Sequence, residues 1–130
     1  MPKENIPRFV VPEDKNHILK FIQIYVDGEP YIRWSYFSDP ACQYHRNILE
    51  KSLREFGLPV NFENIRRGVA AREGERYKLS GAGLMAYNDK EEAYIMLGNS
   101  FDYEIMPNSE HLNLIAQYIP KEIKLRIGDR

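Results

Sequence analysis

Residues 39–57, DPACQYHRNILEKSLREFG, are the stretch on which the fold turns. Asp39 suits the capping of free first-turn amides, Pro40 suits the first helical position, and Gly57 suits a left-handed stop. Ala41, Tyr44, Ile48, Leu49, Leu53 and Phe56 recur at three- and four-residue spacings, while Arg46, Glu50, Lys51, Arg54 and Glu55 fall between them. This pattern predicts one amphipathic helix from Asp39 to Gly57, with His45 at the edge of its apolar face.

On the N-terminal side, residues 1–17 contain three prolines and mixed charge and read as an extended arm. Ile18 to Val26 and Tyr31 to Phe37 are dense in strand formers around Asp27-Gly28, which predicts a hairpin. Period two sets Lys20 in one row with Ile22, Ile24 and Val26. A lysine there either snorkels off the end of the sheet or serves an anion beside it.

On the C-terminal side, Leu58 to Ile65 predicts a strand interrupted by Arg66-Arg67-Gly68. Val69 to Ala71, a turn at 72–75 and a long arm from Arg76 to Tyr87 predict a second hairpin. Gly81 and Gly83 inside that arm call for a bulge or a close backbone approach. Glu92 to Met106, with Gly98-Asn99 between its arms, predicts a third hairpin at a sheet edge. Ser109 to Tyr118 predicts a short helix ended by Pro120, and Ile123 to Ile127 a last strand. The expected class is α+β: one domain over 1–130, with a mixed sheet of about six or more strands and two helices packed on it.

The composition fits a single core, with 43% hydrophobic residues in 130. Eighteen basic and nineteen acidic residues leave a net charge of −1, so any anion site must be local, and neither nucleic acid nor an anionic membrane is an expected partner. Arg66, Arg67, Arg72 and Arg76 near Phe62 and Tyr77 form the one patch of nucleic-acid-binding type, and Glu63, Glu73 and Glu75 among them favour a solvated hairpin surface. The lone Cys42 and the lack of a long apolar run point to a reducing, cytoplasmic setting. His17, His45 and His111 belong to no short-spaced ligand set, so neither a metal nor another cofactor is expected. No phosphate-binding loop or nucleophile-elbow serine is present, and Gly81-Ala82-Gly83 reads more simply as a bulged strand than as an anion cradle. His45 is either a satisfied structural histidine or the candidate for chemistry, since a helix start lowers an imidazole pKa and offers amides to an anion.

The residues met in this order resemble the phosphohistidine phosphatases of the Janus and ocnus group. An extended arm leads to a strand beginning Lys20-Phe21. Arg33-Trp34 follows, then Tyr44-His45 before the main helix, then Arg67, then Gly81 to Tyr87, GAGLMAY. The resemblance implies metal-independent hydrolysis of the phosphorus–nitrogen bond of phosphohistidine on a protein or peptide. By it His45 is the catalytic base or nucleophile and Lys20 holds the phosphoryl oxygens. The amides of Arg46, Gly83, Leu84 and Met85 complete the cradle, with Arg67 nearby. The chain departs from that pattern in three places. Asn64-Ile65-Arg66 replaces a glycine run, the cradle serine falls on Gly83 or Leu84, and extra residues separate Arg33 from His45. These departures keep open a second reading, a non-catalytic module that binds a phosphorylated or acidic peptide on the same fold. The hairpin expected at 92–106 has three roles open to it: covering the site, extending the groove, or self-association through its edge.

Overall fold

The Asp27-Gly28 turn shows how local chemistry builds this sheet. In the computed structural model, which describes residues 6–60, 72–100 and 102–128, both turn residues have positive φ (52° and 84°). That conformation matches the right-handed twist of the strands it joins, β1 (Leu19–Val26) and β2 (Glu29–Tyr36), which pair antiparallel from Leu19↔Tyr36 to Val26↔Glu29. The expected first hairpin is thus present.

Three more strands complete a mixed sheet: β3 (Tyr77–Asn88), β4 (Ala93–Leu97) and β5 (Leu125–Ile127), in the order β2-β1-β3-β4-β5. β5 runs parallel to β4 and the other pairs are antiparallel. Two helices pack on it, α1 (His45–Glu55) and α2 (Ser109–Ile115). Alternation along β1 separates two cores. Ile22, Ile24 and Val26 meet Ile48, Leu49 and Leu53 of α1, while Leu19 and Phe21 meet Met85, Met96 and Ile115 of α2. Burying Leu49 and Leu53 completely contributes roughly 1.5–3 kcal/mol each. The helices therefore lie on opposite faces.

The long helix expected over residues 39–57 is divided. Asp39 does cap, its carboxylate accepting the Ala41 N–H at 2.9 Å, but it caps a single 3₁₀ turn, Pro40–Cys42. Tyr44 is then extended, at φ −124° and ψ 156°, and α1 begins afresh at His45. Ala41 and Tyr44 accordingly leave the buried face, and Tyr44 is exposed. Gly57 is the left-handed stop, with φ 72°.

The hairpin expected over 92–106 does not form. Its first arm is β4, but β3 lies on one side of β4 and β5 on the other, so no edge is left there for self-association. After Gly98 the chain closes a tight loop bridged at Ser100↔Ile105, which sends Tyr103 into the α1 core. A long β3 with apolar residues in register outcompetes the short local partner. The strand expected over 58–65 is irregular at 58–60, and its remainder, like Val69, Ala70 and Ala71, lies outside the described residues. The described sheet has five strands, slightly below the expected number of about six or more.

Both glycines of β3 are explained by close approach. A Cβ on Gly81 would stand 2.1 Å from Gln23 Oε1, where a bulge at Gln23/Ile24 shifts the β1–β3 register. A Cβ on Gly83 would stand 2.3 Å from the Leu97 carbonyl. The N-terminal arm covers the outer edge of β2: Ile32 N–H donates to the Arg8 carbonyl at 2.9 Å and Trp34 Nε1 to the Val10 carbonyl at 2.6 Å. Among the described residues no helix is long and apolar enough to cross a membrane.

Candidate active site

Because α1 starts at His45, the imidazole stands at the helix N-terminus, over the end of the β1 row that Lys20 opens. The break at Gln43 and Tyr44 aims the Gln43 carbonyl at this point, and it accepts a hydrogen bond from Lys20 Nζ. The lysine also lies 4.9 Å from the centroid of the Phe37 ring. Lys20, Phe37, Gln43, His45, Leu84 and Asp102 line a cleft of ≈ 550 Å³.

His45 is only 7% exposed, and its Nε2 lies 3.0 Å from the Gly83 carbonyl. A carbonyl can only accept, so the neutral ring carries its proton on Nε2 and leaves the lone pair on Nδ1. Among the described residues Nδ1 has no hydrogen-bond partner. Burial is the largest influence on this ring and lowers its pKa, and the Lys20 ammonium lowers it further, against opposing effects of the Gly83 carbonyl and Asp102. His45 is therefore neutral near pH 7. Burial likewise lowers the pKa of Lys20, with Asp102 and Cys42 opposing.

The first-turn amides are partly engaged. Asn47 N–H donates to the Tyr44 carbonyl at 3.0 Å, while the Asn47 side chain accepts the Tyr44 N–H at 2.9 Å. Arg46 N–H donates to Asp102 Oδ2 at 3.3 Å, and Arg46 Nη1 lies 3.6 Å from Asp102 Oδ1. A carboxylate thus faces the amide expected to receive a phosphoryl oxygen. Sequence reasoning missed Asp102, since the surrounding residues read as a strand arm; nothing local marks an aspartate that folding returns to a helix start 56 positions away.

Of the residues expected in the cradle, Lys20, His45 and Leu84 share the cleft and Gly83 supplies its carbonyl to the ring. Leu84 lies between Lys20 and Leu97, and Met85 between Leu19 and Met96. With a partner strand on each side, their amides serve the ladders, and Met85 is buried against the α2 core. Arg67, with Arg66, lies outside the described residues. Arg33 is held elsewhere, by Glu55 at 2.7 Å and by the carbonyls of Pro7 and Arg8, where it ties the arm to α1. Arg76 of the arginine patch is paired with Asp27. Among the described residues no group of three or more His, Cys, Asp or Glu side chains could hold a metal ion.

The sequence matches no protein-family model, and no curated protein matches it.

Proposed function

We propose that this protein is a metal-independent phosphatase that hydrolyses the phosphorus–nitrogen bond of phosphohistidine on a protein or peptide. One observation carries the reading: a neutral imidazole, oriented through Nε2 by a backbone carbonyl, holds its Nδ1 lone pair at a helix N-terminus beside a lysine. In this reading Nδ1 attacks phosphorus or takes a proton from the attacking water. The Gly83 carbonyl then stabilises the positive charge that the ring acquires. Lys20 neutralises phosphoryl oxygens, and the Arg46 guanidinium adds a second positive charge at the helix start. Positioning and charge suffice for such a reaction, because an imidazole leaving group departs readily once its other nitrogen is protonated.

The test is release of phosphate from a phosphohistidine peptide in the presence of a chelator, by the wild-type protein and by His45→Ala. Chelator-resistant release by the wild type and none by the variant is expected; equal rates in the two would refute the assignment. The 7% exposure of His45 favours a second reading, a module that binds the phosphorylated peptide without turning it over. Saturable binding of that peptide by the wild type without phosphate release would select it.

A further inference from the structure

Asp102 is the one carboxylate among the described residues that line the cleft, and that reading gives it no task. Its side chain is 7% exposed, beside Lys20 and His45, and its two contacts to Arg46 are long, at 3.3 and 3.6 Å. Charge-assisted hydrogen bonds run at about 2.7–2.9 Å, so these contacts do not saturate the carboxylate and its oxygens retain acceptor capacity. A structural carboxylate placed only to neutralise Arg46 would be expected to close on the guanidinium; this one also faces the cleft. It is equally out of place in a site for a phosphate ester, whose dianion it would repel.

The geometry points to Asp102 as the specificity-determining residue of this site: its carboxylate accepts the N–H of the nitrogen heterocycle that carries the phosphoryl group, selecting phosphorus–nitrogen substrates over phosphate esters. The inference rests on the phosphatase reading above. Among the described residues the charged groups lining the cleft are Lys20 and Asp102, beside a neutral His45, with the Arg46 guanidinium 3.6 Å from Asp102. A phosphohistidine protonated on its second ring nitrogen is dipolar in the complementary sense, with an anionic phosphoryl group at one end and a cationic N–H at the other. The carboxylate that opposes an ester dianion then attracts the leaving group.

The chemistry balances with water as the only co-reactant. The phosphorus–nitrogen bond of the substrate breaks, and its electron pair goes to the departing ring nitrogen. The proton already on the other nitrogen leaves a neutral imidazole. The phosphoryl group passes to His45 Nδ1 and then to water, or directly to water, and inorganic phosphate is released. Asp102 holds the leaving group's proton in place throughout and neither gains nor loses one.

The experiment compares wild type with Asp102→Asn by two readouts: kcat/KM on a phosphohistidine peptide and the dissociation constant of inorganic phosphate measured calorimetrically. Loss of a charged hydrogen bond predicts a fall of about 10- to 100-fold in kcat/KM, with phosphate bound as tightly as before or more so. A partly unfolded variant lowers kcat/KM and weakens the apparent phosphate affinity by the same factor, so both readouts are corrected for the folded fraction measured by circular dichroism. A variant that weakens both readouts by the same factor, as expected if Asp102 only positions Arg46, overturns the inference, as does an unchanged kcat/KM. A wild-type protein that neither releases phosphate nor binds it fails differently, and removes the phosphatase reading together with this extension of it.

Discussion

Protonation of His111 is predicted to uncouple α2 from the sheet. The ring is fully buried, with Nε2 3.1 Å from the Ile24 carbonyl and Nδ1 3.4 Å from Gln23 Nε2. The Gln23 amide cannot turn over to suit a second ring N–H, because its Oε1 accepts the Asn108 N–H at 2.7 Å and its Nε2 donates to the Asn108 carbonyl at 2.9 Å. A protonated His111 would therefore set a donor against a donor. Burial pushes its pKa from 6.5 down to about 4, although the carbonyls of Ile24 and Tyr31 pull the other way. The unfolded chain takes up this proton first as pH falls, so the stability is present above pH 6.5 and is lost as pH falls towards about 4. At 1.36 kcal/mol per unit, the loss between about pH 7 and about pH 4.5 is about 2 kcal/mol. Urea unfolding of wild type and His111→Gln across this range isolates the effect from the carboxylates, which the two proteins share. The wild type is expected to lose about 2 kcal/mol more than the variant over that interval. Parallel stability curves would refute the reasoning.

Lys20→Met should raise the His45 pKa towards its ordinary value, because the ammonium opposes protonation of the ring; an unmoved midpoint in an NMR titration of the His45 ring protons would contradict that coupling. Gly83→Ala drives a methyl group against the Leu97 carbonyl and should lower stability by about 1–3 kcal/mol in urea unfolding, with wild-type stability as the contrary result. Leu49→Ala, at a fully buried position between α1 and β1, should remove about 2–5 kcal/mol, and a loss under about 1 kcal/mol would mean that the α1 core collapses around the gap.

Elements bounded by strong punctuation are legible because each is decided within a few residues. Asp27-Gly28 imposes its turn, and Gly57 takes the left-handed conformation that stops α1. The run of α1 residues at helical spacing and the alternation of β1 likewise record which side of each element is buried. The pairing of β4 is different in kind. Its apolar residues are equally suited to a neighbour on either side, and only the register offered by β3 decides between them.

The helix start at His45 belongs to both categories. Asp39 and Pro40 form a true initiation signal, which a single 3₁₀ turn satisfies. The extended Tyr44 that follows allows a second start, at the residue marked by the resemblance to the phosphatases. Lys20, His45 and the glycines of β3 are visible as separate candidates from residue type and spacing. The convergence of Lys20 and His45 on one cleft, the approach of the Gly83 carbonyl to the His45 ring, and the return of Asp102 to the Arg46 amide depend on strand order and loop closure between residues far apart in the chain. Local propensity carries no record of such contacts, since the burial and charge pairing that stabilise them exist only once the sheet has assembled.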